Sequence, residues 1–493
     1  MNILLIMINA LNSQYPPIGQ YNIVDYYKKK YPDRDVNFDV KVFSKLNGMK
    51  ILSLLKSKKY DVVGFGCYIW NLSSILPFCR IIKKKFRDIA LILGGPSITY
   101  DEDEQLELLR KGFVDFLIIG EGELTMMNII NKLYLKEDIK SSNIKIEGAV
   151  YKSKNNEIIK NLRTKDNIVD LDEVVSPFIL HDELKSYYKK FGVVYVEGSR
   201  GCPYKCSYCA GSNPFFRCKD NDKIVDELKT LVKKGYSNFS FLDGTLNYNI
   251  ERTKTLFKKI LKEGLNINIG FELKIELIDD ELLDLMKKVG VNNLEIGLQT
   301  SNTKTLKLIN RYHDEVAFSK NIKKIVNKGI SSVIDLIIGL PGEALRDYFN
   351  SLNYCFNLGN LNITANLLKL LPNTKLYSQK DIYGYEIDVN NLNKVVLSNT
   401  MTKEDLIFSQ RTIFVIRRFW SMESMKFKNV IRNIVNEKFQ GDFAKFIIIL
   451  TNHIFMSNHV QDVLSMKSKE KIEYLYKQNL SNSNITNQNK DIG

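Results

Sequence analysis

Two successive series of apolar, strand-like runs, each alternating with helix-period segments, constrain the fold of this 493-residue chain most strongly. Nearly continuous apolar strands separated by helices are typical of a parallel sheet covered by helices on both faces. In the first series such runs occupy residues 2–10, 36–43, 61–69, 89–96 and 113–123. We therefore predict an α/β chain whose N-terminal domain, residues 1–135, is a doubly wound, Rossmann-like parallel sheet.

The second series predicts a barrel-like domain over residues 191–385, after a connector formed by residues 136–190. Five helical segments separate six strand-like runs, at residues 191–199, 238–244, 267–273, 292–300, 331–341 and 363–372. This repeat predicts an open (βα)6 partial TIM barrel, in which functional residues lie at the C-terminal ends of the strands. We expect residues 386–480 to be mainly helical and the polar residues 481–493 to be disordered.

Composition and charge narrow the classes of function. The net charge is +15, but lysine is spread along the whole chain, so we expect no dedicated nucleic-acid surface. No run of about 18 uncharged apolar residues occurs, and the N-terminus lacks the basic segment of a signal peptide. We expect a cytoplasmic protein without a membrane span, whose seven cysteines are thiols or metal ligands.

A cysteine motif follows the first strand of the second series. In GSRGCPYKCSYCAG, Cys202, Cys206 and Cys209 have the spacing C-x3-C-x2-C. Three thiolates in one short loop can bind a cubic 4Fe–4S cluster and leave its fourth iron open for chemistry. The alternative is a zinc site with Cys218 as the fourth ligand. The position after a strand that opens a βα series favours the cluster.

The spacing CxxxCxxC, with the aromatic Tyr208 before the last cysteine, resembles the signature of the radical S-adenosylmethionine superfamily. The resemblance covers about residues 190–380. It implies a 4Fe–4S cluster whose open iron chelates the amino and carboxylate groups of S-adenosylmethionine. One electron, from a reductant such as flavodoxin or ferredoxin, then cleaves this cofactor to methionine and a 5′-deoxyadenosyl radical. Tyr208 can pack against the purine ring.

The resemblance also implies cofactor contacts at successive strand ends. The second strand ends in FLDGT, which corresponds to the usual contact with the methionine amino group. Later strand ends offer carboxylates and an amide for the ribose hydroxyls and a guanidinium for the cofactor carboxylate. The ordinary alternative is that the carboxylates face water and that the arginine caps a helix. The predicted residues are Asp243, Gly244, Thr245, Glu272, Glu295, Gln299 and Arg311.

The N-terminal domain resembles that of the cobalamin-binding branch of this superfamily, through VVGFGCYIWN, LILGGPSITYD and VDFLIIGEGE. The cobalamin motif Asp-x-His-x-x-Gly is absent and all four histidines lie outside residues 1–135, so no histidine of this domain can coordinate cobalt. The alternative is a degenerate domain that only holds the barrel or receives substrate. The predicted cobalamin contacts are Gly64, Gly66, Cys67, Tyr68, Trp70, Gly94, Gly95, Pro96, Gly120, Glu121 and Gly122.

The combined resemblance implies cobalamin-dependent methyl transfer to an unactivated carbon of a small-molecule or peptide substrate. In such a reaction the radical abstracts hydrogen, methylcobalamin delivers the methyl group, and a second S-adenosylmethionine remethylates cobalt. One alternative is a radical rearrangement or cyclisation without methyl transfer. Another is a non-catalytic metal-binding or nucleic-acid-binding protein, supported only by the basic charge.

Overall fold

The first sheet separates two apolar cores. The computed structural model describes residues 1–10, 15–99, 102–139, 145–165, 168–211, 215–457 and 459–477, and the tail predicted to be disordered lies outside them. In the first strand Ile3 and Leu5 point into one core, whereas Leu4 and Ile6 point into the other. This alternation follows from the two-residue period of a strand, and it buries both faces of the sheet.

Five parallel strands and five helices form the predicted doubly wound domain. The strands are β1 (Asn2–Ile8), β2 (Asn37–Phe43), β3 (Val62–Gly66), β4 (Ala90–Gly94) and β5 (Phe116–Ile118). The helices are α1 (Ile18–Lys30), α2 (Gly48–Ser57), α3 (Leu72–Lys85), α4 (Asp103–Arg110) and α5 (Glu123–Tyr134). The spatial order β2-β1-β3-β4-β5 places a topological switch point between β1 and β3, where α/β sheets of this type bind ligands.

A hairpin extends this sheet beyond the predicted domain boundary. Strands β6 (Ala149–Lys152) and β7 (Ile158–Lys160) are antiparallel and continue the sheet from β5. Both strands fall within residues 136–190, which the sequence assigns to the connector. The fifth strand is also shorter than predicted, so residues 119–122 form a loop.

The second parallel sheet has the predicted six strands. The connector contributes α6 (Pro177–Leu180) and α7 (Lys185–Phe191) before it. The six strands are β8 (Val194–Val196), β11 (Asn238–Phe241), β12 (Asn268–Leu273), β13 (Val291–Gln299), β14 (Ser332–Ile338) and β15 (Asn362–Leu367). Their spatial order is β15-β14-β13-β12-β11-β8. Between β8 and β11, β9 (Ser199–Arg200) and β10 (Arg217–Cys218) form an antiparallel pair that flanks the cysteine motif.

Helices cover the outer face of this sheet and form most of the C-terminal region. The barrel helices are α8 (Asn221–Lys233), α9 (Ile250–Lys262), α10 (Asp280–Val289), α11 (Thr303–Leu308), α12 (Glu315–Asn327) and α13 (Leu345–Asn357). The connection from β13 to β14 therefore contains two helices instead of the single predicted helix.

The C-terminal region is mainly helical, as predicted, but it begins with a hairpin. After α14 (Lys375–Ser378), strands β16 (Glu386–Asp388) and β17 (Lys394–Leu397) pair antiparallel. The helices that follow are α15 (Lys403–Ile416), α16 (Met425–Phe439), α17 (Phe443–Met456), α18 (Val460–Ser465) and α19 (Ser468–Lys477). Within the described ranges, no helix combines the length and apolar character needed to cross a membrane.

Candidate active site

The cysteine motif lines a cavity of about 770 Å³ at the C-terminal ends of the barrel strands. Cys202, Cys206 and Cys209 all face this cavity from the loop between β9 and β10. The loop is attached to two other parts of the barrel: the Ser207 amide donates to the Ile309 carbonyl at 2.9 Å, and the Leu376 amide donates to the Ser207 carbonyl at 2.8 Å. The three thiols are therefore presented to one volume by a loop that is held on both sides.

Two hydrogen-bond donors lie beside these thiols. The Gly211 amide donates to Cys209 Sγ at 3.3 Å, and Arg311 Nη1 lies 3.7 Å from Cys206 Sγ. Burial raises the pKa of the Cys209 thiol. Hydrogen bonds to sulfur and nearby positive charge are means by which proteins tune iron–sulfur clusters, so this donor set fits the predicted 4Fe–4S cluster.

Cys218, the predicted fourth ligand of a zinc site, has a different neighbour. Its Sγ lies 3.1 Å from the Tyr248 hydroxyl, and it does not line the cavity. Among the residues that the structure describes, no three His, Cys, Asp or Glu side chains are grouped closely enough to hold a single metal ion.

Carboxylates from three neighbouring strands face the same cavity. Glu272 on β12 and Glu295 on β13 are register partners, and Asp335 on β14 pairs with Gly297, two residues beyond Glu295. Burial, together with the negative charge of Glu295, raises the pKa of Glu272 to about 7 and that of Asp335 to about 7. Asp335 is not among the residues predicted from the sequence, although the alternation in SVIDLII places it opposite the buried residues of its strand.

Gln299 ends β13, and Arg311, in the loop after α11, reaches back to the end of that strand. Arg311 Nη2 donates to the Gly297 carbonyl while Nη1 faces Cys206, so the side chain joins β13 to the cysteine loop instead of capping a helix. Gln299 lines the cavity and has a positive φ of 73°. The strand register shifts beside it, between Gly297 and Gln299, which turns its side chain at the rim.

The predicted FLDGT contacts divide into two groups. Gly244 and Thr245 line the cavity, and a Cβ on Gly244 would lie 3.4 Å from Cys202 Cβ. Asp243 does not line it: its side chain is fully buried and accepts from the Gly198 amide at 2.9 Å. Burial raises the pKa of Asp243 to about 6. Its contacts support the turn that leads into the cysteine loop.

Lys274 and Asn366 also line the cavity and are not among the residues predicted from the sequence. Lys274, two residues beyond Glu272, donates from Nζ to the Tyr312 carbonyl at 2.8 Å and lies 5.5 Å from the centre of the Tyr204 ring. Asn366 lines the cavity from β15. The two-residue alternation of β12 and β15 could have identified both residues.

At the switch point of the N-terminal sheet, aromatic residues follow β3. Tyr68 and Trp70 stack with ring centroids 4.4 Å apart, and Trp70 Nε1 donates to the Ile8 carbonyl at 2.9 Å. Gly120, with a φ of +79°, has no neighbouring atom within 4 Å of the position of a Cβ. This loop therefore leaves open space where cobalamin is predicted, whereas Cys67 is fully buried.

The other predicted glycine contacts are close to the protein's own atoms. A Cβ on Gly95, which has a φ of +110°, would lie 2.6 Å from the Cys67 carbonyl oxygen. Packing against the Cys67 backbone accounts for Gly95, and the contact of all five glycines with cobalamin stays a prediction. A Cβ on Gly64, Gly66, Gly94 or Gly122 would meet Leu5, Gln20, Ile118 or Ile23, respectively.

Glu121, also predicted as a cobalamin contact, is engaged by arginines of the barrel. Its carboxylate lies 2.9 Å from Arg200 Nη1 and 2.7 Å from Arg217 Nη2. Burial alone would raise the pKa of Glu121, but the two guanidinium groups hold it below its usual value.

Family models match both domains. The model of the radical SAM superfamily matches residues 196–355, and that of the B12 binding domain matches residues 5–130. An uncharacterised methyltransferase of Pyrococcus horikoshii is 23% identical over 369 residues, covering 73% of this chain and 78% of its own. The anaerobic magnesium-protoporphyrin IX monomethyl ester cyclase of Rubrivivax gelatinosus is 24% identical over 317 residues, covering 63% of this chain and 56% of its own.

A solved structure shares the whole architecture. The cobalamin-dependent radical enzyme OxsB, bound to aqua-cobalamin and S-adenosylmethionine, aligns with a TM-score of 0.64 over 97% of this chain and 84% of its own, at 13% identity. This likeness shows the fold, and the two family models agree with it. The predicted cofactors, a 4Fe–4S cluster, S-adenosylmethionine and cobalamin, are those that go with these two domains. The chain is a radical S-adenosylmethionine enzyme, in the branch of that superfamily that carries an N-terminal B12-binding domain.

Proposed function

We propose that this enzyme transfers a methyl group to an unactivated carbon of a small-molecule or peptide substrate, with cobalamin as the methyl carrier. The observation that carries this proposal is the shared cavity of the three cysteines and the strand-end carboxylates, next to a B12-binding domain. When bound, the cluster and S-adenosylmethionine supply a 5′-deoxyadenosyl radical, and cobalamin supplies the methyl group.

The cavity residues bind and orient the cofactor and the substrate. Cys202, Cys206 and Cys209 hold the cluster. The Arg311 guanidinium, which reaches the cysteine loop, suits the cofactor carboxylate because it offers a planar pair of donors. Glu295 accepts hydrogen bonds from the ribose hydroxyls.

The remaining cavity surface suits a substrate with polar groups. Glu272 and Asp335, with pKa values of about 7, can each accept a hydrogen bond when ionised or donate one when protonated. Tyr204 and Tyr312 add aromatic surface on either side of Lys274.

The electron that starts the reaction comes from a reductant such as flavodoxin or ferredoxin. Lys205, exposed in the cysteine loop itself, offers positive charge close to the cluster position. Acidic electron carriers associate with such surfaces faster at low ionic strength.

Anaerobic reconstitution tests the proposal. The purified chain is loaded with iron, sulfide and hydroxocobalamin, reduced, and given S-adenosylmethionine with a deuterated methyl group and a small-molecule extract. We expect stoichiometric cobalamin, formation of 5′-deoxyadenosine and S-adenosylhomocysteine, and a product heavier by one labelled methyl group. A chain that forms 5′-deoxyadenosine but never binds cobalamin would contradict methyl transfer and leave the radical chemistry standing.

The relative from Rubrivivax gelatinosus supports a second candidate, a radical cyclisation or rearrangement without methyl transfer. The product of such a cyclisation or rearrangement would carry no label from S-adenosylmethionine, and no S-adenosylhomocysteine would form. The same mass spectrum therefore separates the two candidates.

A further inference from the structure

A buried set of ion pairs joins the B12-binding domain to the loop that carries the cysteines. Glu121, in the loop after β5, accepts from Arg217 Nη1 at 2.8 Å and from Arg217 Nη2 at 2.7 Å. The same carboxylate accepts from Arg200 Nη1 at 2.9 Å. Two-point pairing of a guanidinium with a carboxylate fixes orientation as well as distance.

Further contacts hold each arginine in place. Arg200 pairs through Nη2 with Glu123 at 3.0 Å and with Glu197 at 2.8 Å, so three carboxylates surround its guanidinium. Arg217 Nε donates to the Val169 carbonyl at 2.8 Å. We call Glu121, Glu123, Glu197, Arg200 and Arg217 the interdomain ion network; each of its side chains is less than a quarter exposed.

The backbone of the Glu121 loop is held as well. Arg163, in the segment after the β6–β7 hairpin, donates from Nη2 to the Glu121 carbonyl at 2.5 Å and to Thr125 Oγ1 at 2.6 Å. The Ile119 amide donates to the Gly148 carbonyl at 2.8 Å. Hydrogen bonds therefore hold both the side chain and the main chain of Glu121.

The network lies between the two predicted cofactor sites. Arg200 ends β9 and Arg217 begins β10, so the two arginines bracket the loop that contains all three cysteines. Glu121 stands between Gly120 and Gly122, at the edge of the sheet where cobalamin is predicted. Among the ion pairs of the described residues, those of Glu121 alone join the N-terminal domain to both sides of the cysteine loop.

Buried ion pairs of this kind contribute little net stability, because desolvation of the charges offsets most of their attraction. Their better-attested effect is to select one arrangement of the groups that they join. An enzyme in which a radical formed at one cofactor must meet a group carried by another needs such an arrangement, since small displacements reduce the rate strongly.

We propose that Glu121, Arg200 and Arg217 are positioning residues that hold the cysteine loop at a fixed distance and orientation from the cobalamin loop. This inference rests on the proposed function, because it assumes that cobalamin binds beside Gly120. The network touches neither cofactor itself in this role. The competing explanation is an ordinary interface contact that affects only the stability of the chain.

Three variants separate these explanations. Glu121→Gln keeps the shape of the side chain and removes the charge that faces both arginines. Arg217→Lys keeps the positive charge but loses the two-point pairing. The matched control is Asp115→Asn, which removes a similarly buried carboxylate from its 2.7 Å pair with Lys83, entirely inside the N-terminal domain.

The first measurement is pulsed electron paramagnetic resonance on the reconstituted protein, with the reduced cluster and cob(II)alamin as the two spins. We expect one narrow distance distribution for the unmodified chain and for Asp115→Asn. In Glu121→Gln the distribution should widen about two-fold, with a smaller change in Arg217→Lys, because the loop gains alternative positions. Iron and cobalamin content should stay equal to those of the unmodified chain.

The second measurement needs no cobalamin. Hydrogen exchange of peptides covering residues 196–218, in protein that contains only the cluster, should be about ten-fold faster in Glu121→Gln than in Asp115→Asn at equal overall stability. If the unmodified chain binds no cobalamin, the proposed function fails while this measurement still tests the network. Unchanged exchange and an unchanged distance distribution in Glu121→Gln would overturn the inference.

Discussion

Glu272 and Glu295 are register partners on adjacent strands, and both side chains point into the barrel cavity. Two carboxylates held side by side cannot both ionise freely. Burial, with the charge of Glu295 as the next cause, raises the pKa of Glu272 from 4.5 to about 7. The same two causes raise the pKa of Asp335 from 3.8 to about 7. The carboxyl groups of Glu272 and Asp335 therefore gain and lose protons close to neutral pH.

The stability of the cofactor-free chain should depend on pH because of these protons. A carboxyl whose pKa is higher in the folded state binds more protons when folded, so stability falls as pH rises from about 4 to about 7. We expect the melting temperature to fall over this range. The double variant Glu272→Gln with Asp335→Asn should flatten the profile and raise stability at pH 8. Thermal unfolding at several pH values measures this, and equal slopes for both proteins would refute the assignment.

The cysteine motif should account for all cluster ligation by the chain. Replacing Cys202, Cys206 or Cys209 by alanine should abolish the cluster, because each thiolate binds one iron. Cys218→Ala should retain it, since this thiol faces the Tyr248 hydroxyl. Iron and sulfide analysis and the resonance signal of the reduced protein measure the outcome. Loss of metal in Cys218→Ala, or stoichiometric zinc in the unmodified protein, would favour the zinc site instead.

The sequence predicts the strands better than it predicts the side-chain neighbours. The two-residue and 3.6-residue periods indicate which segments form β1 to β5 and the six barrel strands. They can do so because the buried face of an element follows from the spacing of apolar residues within that segment. Neither period predicts which groups a polar side chain will contact. Asp243 and Glu121 both follow strands, as cofactor contacts do, yet Asp243 supports Gly198 and Glu121 pairs with Arg200 and Arg217. Those partners come from distant parts of the chain.

Arg311 should set how easily the cluster is reduced. Its guanidinium lies 3.7 Å from Cys206 Sγ, and a positive charge there stabilises the reduced, more negative cluster. We expect Arg311→Met to lower the midpoint potential by on the order of tens of millivolts, with Arg311→Lys in between. A redox titration followed by electron paramagnetic resonance measures the potential. An unchanged potential in Arg311→Met would show that the guanidinium does not act on the cluster.

Gly95 should be required by the protein's own packing, whether or not cobalamin is present. Its φ of +110° strains any other residue, and a Cβ would lie 2.6 Å from the Cys67 carbonyl oxygen. Gly112 is the matched control, since its φ is +70° but no atom lies within 4 Å of the position of its Cβ. Gly112→Ala should cost about 1 kcal/mol through backbone strain alone.

Gly95→Ala should cost about 2 kcal/mol more than Gly112→Ala, because the backbone of Cys67 has to move. Chemical denaturation of both variants without cobalamin measures the difference. Equal stability of the two variants would show that the Cys67 carbonyl gives way easily, and the glycine would then be explained by close approach of a ligand. A loss of stability of the expected size would instead show that the turn after β4 requires glycine at position 95. Gly120, which has open space beside it, would then be the better candidate for contact with a ligand at this sheet edge.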